Sequence, residues 1–120
     1  MSHIVTIQSR LRDSSAVAAA CRRLGLPEAT QGTAQLFGGE VTGLIVRLPG
    51  WEYPAVINTV SGEIRFDNFA GHWGDISQLH AFQQAYAIEK VRLESRKKGL
   101  MVTEQQLEDG SVKLQILEGT

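Results

Sequence analysis

The chain is poor in the residues that usually announce a function. Among its 120 residues there is one cysteine, Cys21, so no internal disulfide can form and no cluster of thiols is available to hold zinc. Cys21 shares a helical i, i+3, i+4, i+7 pattern with Val17, Ala20 and Leu24, and no histidine or acid stands near it in sequence. It therefore reads as a small buried thiol and not as a nucleophile. An excess of one charge is also missing. Twelve Lys+Arg stand against thirteen Asp+Glu, a formal net charge of -1, which excludes a global field that would draw the chain onto nucleic acid or anionic lipid. No apolar run approaches the roughly 20 residues of a membrane span. The opening MSHIVTIQSR reads as a strand and lacks the basic stretch and apolar run of a secretion signal. These absences predict a soluble cytoplasmic protein with no membrane or nucleic-acid partner. The glycines fit no phosphate-binding spacing, Ser14 and Ser15 have no adjacent base, and nothing implies a cofactor or assigns a catalytic residue.

What is present is a clear alternation of strand and helix patterns, enough for one domain over residues 1–120 with roughly two-thirds of the unfolded surface buried. Residues 3–10 alternate Val5 and Ile7 with Thr6 and Gln8, a half-buried strand. A helix follows, capped by Asp13, Ser14 or Ser15 and ended by Gly25 and Pro27. The runs 33–37 and 40–48 flank Gly38-Gly39, and the runs 54–60 and 63–67 flank Ser61-Gly62. Both pairs suit tight hairpins, which predicts a meander of up to four antiparallel strands. Asp75 with Gln78 resembles a capping box, and 76–98 contains neither Gly nor Pro, so one long helix is expected. Leu79, Phe82, Tyr86 and Leu93 form its main stripe, with Ala81, Ala85 and Ile88 on a neighbouring face. Gly99 closes it, and Asp109-Gly110 joins a final β-hairpin. The expected fold is α+β: an antiparallel sheet of about five to seven strands covered by two helices, with a C-terminal hairpin.

Several of these segments together are distinctive. The opening MSH with its strand, HWG at 72–74, QAYAIEKV at 84–91, KKG at 97–99 and EDGSVKL at 108–114 resemble the hypothetical chloroplast reading frame thirty-five family. These are small plastid, cyanobacterial and other bacterial proteins classed as a domain of unknown function. Gly71 and His72 depart from the acidic and aromatic residues of the family pattern before the tryptophan. The resemblance implies no activity, but it implies a gene neighbourhood with an AAA-type ATPase and thus an adaptor or helper role.

The candidate site residues are aromatic. Trp51 and Tyr53 lie in a loop pinned by Pro49 and Pro54. Phe66 and Phe69 lead into a second loop, where Trp73 is flanked by Gly71 and Gly74. If both loops emerge at one end of the sheet, Trp51, Tyr53, Phe69, His72 and Trp73 form an apolar surface with Arg65, Asp67 and Asn68 as nearby polar groups. The less specific alternative is that the indoles plug the end of the sheet. His72, Asp75 and His80 are metal-binding types, but Asp75 is committed as a helix cap and His80 lies more than a turn further on, so no metal is assigned. Arg92, Arg96, Lys97 and Lys98 suit the negative end of a helix dipole and read as a solvated face. His3 reads as a strand-start residue. The leading expectation is a small interaction or regulatory protein with a protein partner. The alternative is a small-ligand or nucleotide-binding domain built on the Trp51 and Trp73 loops.

Overall fold

The structure, a computed structural model, describes residues 4–118, so His3 lies outside the described residues. The elements are β1 (Val5–Ile7), α1 (Ser14–Leu24), β2 (Thr30–Leu36), β3 (Gly39–Val46), β4 (Ala55–Ile57) and β5 (Ile64–Phe66). A single 3-10 turn (Phe69–Gly71), α2 (Ile76–Lys97), β6 (Leu100–Gln106) and β7 (Val112–Glu118) follow. The fold is α+β as expected. The sheet has five antiparallel strands in the order β1-β5-β4-β3-β2, and β6-β7 forms a separate two-stranded ribbon.

The helices begin and end where their chemistry dictates. The Asp13 carboxylate accepts the Ser15 and Ala16 N–H groups, and Gly25, in the left-handed region, stops α1. Asp75 caps α2 by accepting from the Ser77 N–H. Both helices lie on one face of the sheet. Ala16, Val17, Ala20 and Cys21 of α1, with Leu79, Phe82, Ala85 and Tyr86 of α2, close over Leu44, Val46, Ala55, Ile57, Ile64 and Phe66. Leu24, expected in this core, is the last residue of α1 and is 40% exposed.

The other face of the sheet is buried too, and by the sheet itself. Ala34, Leu36, Val41 and Val56 form a second core, with Ile4, Ile45 and Tyr53 packed against it. In a straight ladder Gly38 would stand about 27 Å along the strands from the end of β5. Instead a Cβ placed on Gly38 would lie 3.6 Å from Asp67 Oδ2 and 3.1 Å from Ile4. The β2-β3 hairpin therefore curls back over the face opposite the helices. The β3-β4 pairing ends at Leu44–Ile57, and at the next residue, Gly43, a Cβ would approach the Ile57 carbonyl oxygen to 2.6 Å, so no larger residue fits.

The C-terminal ribbon is held against the helices by charge. Glu104 of β6 accepts from Arg23 of α1 and, at 2.8 Å, from Arg92 of α2. Arg92 is thus paired, and Arg96, Lys97 and Lys98 are exposed, as expected of a helix end, with Lys97 3.7 Å from Glu94. On the ribbon's outer side Met101 is exposed.

Phe82 is 1% exposed at the centre of the helix-side core. Phe82→Ala is expected to cost about 3–5 kcal/mol of stability, read from urea denaturation midpoints. A variant that melts like the wild type would mean that α2 does not hold this core.

Candidate functional site

Four of the five residues singled out in the sequence meet at one place, and Trp51 does not. Trp73 is the hub. Its indole stacks on Phe69 at 4.8 Å between ring centroids and takes the edge of Tyr53 at 5.5 Å. His72 lies on the other side of Phe69 at 5.0 Å. The curled hairpin brings a residue that the sequence reading missed: Phe37, whose ring is 5.2 Å from Trp73 and 59% exposed. Such offset and edge-on pairs are favourable beyond their buried area. The cluster is half-buried at Trp73 and Tyr53 and open to solvent at Phe37, Phe69 and His72.

Trp51 belongs to the helix-side core. Its ring meets Phe66 at 5.6 Å, and its Nε1–H donates to the Asp75 carbonyl at 3.0 Å, tying the loop to the start of α2. The indole lies so close to Gly74 that a Cβ there would be 2.4 Å from it. The second glycine of the GHWGD segment is therefore needed for Trp51, not for pliancy around Trp73. The Trp51 indole packs on the helix-side core, whereas the Trp73 indole packs among Phe37, Tyr53 and Phe69.

The loop that carries the cluster is wound tightly around Asn68. Its carbonyl accepts from the Gly71 and Trp73 N–H groups at 3.0 and 2.9 Å, and its Nδ2 donates to the Gly74 carbonyl at 3.2 Å. The Glu52 N–H donates to the Trp73 carbonyl at 2.8 Å and joins the two aromatic loops. Inside the turn, Phe69 and Ala70 both have positive φ, 48° and 51°. Side chains with a Cβ avoid this region, and each such residue stores roughly 1–3 kcal/mol of strain.

Asp67 and Asn68, expected as polar groups on this surface, are instead buried. Asn68 is satisfied as above. Asp67 has no exposed surface, and neither of its carboxylate oxygens has a hydrogen-bond partner among the described residues. Arg65, two residues away, is exposed and does not reach it. His72 and His80 are both exposed, and no group of three metal-ligating side chains converges among the described residues.

A second concave region was not anticipated. Two adjoining clefts of about 570 and 480 Å3 run between the β1-α1 connection and α2, sharing Arg10, Tyr86 and Lys90. The Tyr86 hydroxyl accepts the Asp13 N–H at 3.1 Å and donates to the Arg10 carbonyl at 3.2 Å, which pins the connection to the helix. Lys90 donates to Asp13 at 2.8 Å and to Glu94 at 2.9 Å. The Lys90 hydrogen bond, followed by those from the Ala16 and Ser15 N–H groups, outweighs the cost of burial and holds the Asp13 carboxyl below its ordinary value of 3.8. Its hydrogen bonds to Asp13 and then to Glu94 raise the Lys90 ammonium above its ordinary range. The lining residues come from segments more than 70 positions apart, so no local motif marks the cleft.

Comparisons with protein-family models, with curated proteins and with solved structures give no match.

Two outcomes follow from these contacts. Gly74→Ala drives a methyl group into the Trp51 ring and is expected to cost about 1–3 kcal/mol, with a red-shifted tryptophan emission as the indole loses its place. Because the folded Asp13 carboxyl titrates below its unfolded value, its stabilisation is complete above the ordinary carboxylate range and is lost as pH falls through the lowered value. The stability difference between wild type and Asp13→Asn, measured by urea denaturation, should therefore shrink as pH is lowered from about 6 to about 3. A difference constant over that range would remove the Lys90 pairing as its cause.

Proposed function

We propose that this protein is an interaction module that docks onto a protein partner through the patch of Phe37, Phe69, His72 and Trp73. The observation that carries the reading is the strained pair Phe69 and Ala70. Two consecutive left-handed residues with side chains are unfavourable, and here the strain holds an aromatic ring partly in solvent. Stability alone would favour glycine at one position and a polar residue at the other. Aromatic side chains placed in this way act as anchors in protein interfaces. The adaptor role and the AAA-type ATPase that the family resemblance implies name the first partner to test.

Mixing the protein with the product of a neighbouring ATPase gene is expected to give co-elution and altered ATP turnover. Phe69→Ala or Phe37→Ala should weaken the complex by about 30-fold or more, the size of an interface hot spot. Complex formation indifferent to both variants, or no complex, would remove the patch as the docking surface. A second reading has one observation in its favour: the cleft beside Arg10, Arg12 and Lys90 has the size and charge for a small anionic ligand. A thermal-shift screen of nucleotides and carboxylates separates the two, because ligand at 100 times its Kd stabilises by about 2.7 kcal/mol.

A further inference from the structure

Docking through apolar rings leaves the carboxylate of Asp67 unexplained. An ionised carboxylate taken wholly out of water is strongly unfavourable unless it is paired, and native proteins keep very few such groups without a reason. Asp67 sits beside the patch. It directly precedes Asn68, which organises the aromatic loop, and it lies beneath Gly38, the neighbour of Phe37. Its cover on that side is a residue without a side chain, followed by Gly39 at φ 144°, so the lid over the carboxylate is the segment of the hairpin with the least bulk to move. Neither oxygen has a partner among the described residues, which leaves a matched pair of acceptors. The exposed residues flanking the two loops, Glu40 and Glu52, are also acidic.

We propose that the patch receives an arginine side chain from the protein partner, whose guanidinium pairs with both oxygens of Asp67 while its plane lies against the rings of Phe37 and Trp73. Arginine fits better than lysine on two counts. Its parallel N–H groups match two free carboxylate oxygens, and its flat, weakly hydrated cation stacks on aromatic faces. The Phe37–Gly38 turn shifts to admit it. The inference rests on the interaction reading above and adds to it the chemistry of the partner's anchor.

The test is selection of a random-peptide library displayed on phage against immobilised wild type, Asp67→Asn and Phe69→Ala. Wild type should enrich peptides with an arginine at a fixed position next to apolar residues, and Phe69→Ala should lose them. For an enriched peptide, replacing that arginine by uncharged citrulline should weaken binding about 10-fold or more. Asp67→Asn should cost a similar factor, and the two changes together little more than either alone, as expected of one shared contact. Asp67→Asn should also melt no lower than wild type, because a neutral amide is easier to bury. His3→Ala should bind like wild type. Phe69-dependent peptides without an arginine preference, bound equally by Asp67→Asn, would overturn the arginine anchor and leave the interaction reading standing. No Phe69-dependent peptide at all would overturn both. A marked drop in the melting temperature of Asp67→Asn, or loss of binding in His3→Ala, would assign the carboxylate to a partner within the chain and overturn the proposal as well.

Discussion

Everything distinctive about this molecule depends on how closely two strands approach at Gly43. A side chain there would meet the Ile57 carbonyl oxygen at 2.6 Å and a Val56 methyl at 2.9 Å, so β3 can lie this close to β4 where their pairing ends only because the position is bare. Beyond that close approach the far half of the β2-β3 hairpin lies over the second face of the sheet. It buries Leu36 and Val41 on Val56, places Phe37 on Trp73 and lays Gly38 over Asp67. With a straight hairpin the molecule would be an ordinary sheet with helices on one side. Phe37 would be an unremarked turn residue, and Asp67 would be in water.

The two cores divide the work. The helix-side core holds the large, fully buried side chains, Phe82, Leu79, Ile57 and Ile64 among them, and most of the apolar burial that drives folding. The smaller core opposite tolerates unfavourable features at its edge: two left-handed residues and one unpaired carboxylate. Net stabilities of small domains are about 5–15 kcal/mol, so such features persist only where the rest of the fold outweighs them. Here the strained loop is anchored on both sides. Asn68 grips it from within, and Trp51 fixes the following helix through the Asp75 carbonyl. A patch held by packed elements presents its rings in a defined arrangement, which is what recognition requires.

Most element positions could be read from the chain, because their signals are local. Gly38-Gly39 and Ser61-Gly62 mark the hairpins, Asp13 and Gly25 bound α1, and the absence of Gly and Pro marks α2. What could not be read depended on contacts between distant segments. The two tryptophans sit in similar loops, and nothing nearby in sequence says that Trp51 turns towards the helices while Trp73 turns away. Gly74 reads as flexibility until the Trp51 ring is found against it. The second core did leave a trace: Leu44-Ile45-Val46 and Ala55-Val56-Ile57 are apolar without alternation, the pattern of strands covered on both faces. The covering element was not legible, since a single glycine within a strand pattern does not say which way the strand bends.

The treatment of the other carboxylates sets Asp67 apart. Asp13 is only partly buried, yet it receives Lys90 and two backbone N–H groups. Glu104, also partly exposed, is bracketed by Arg23 and Arg92, and the hydrogen bonds from Arg23 lead in holding its carboxyl below the ordinary range. Cations are therefore available to this chain and are spent on acids that water could have solvated. The acid with the greatest need receives none among the described residues, although Arg65 stands only two positions away. A fold that gives partners to Asp13 and Glu104 and, among the described residues, none to its most buried carboxylate keeps both oxygens available for a cation supplied from outside the chain.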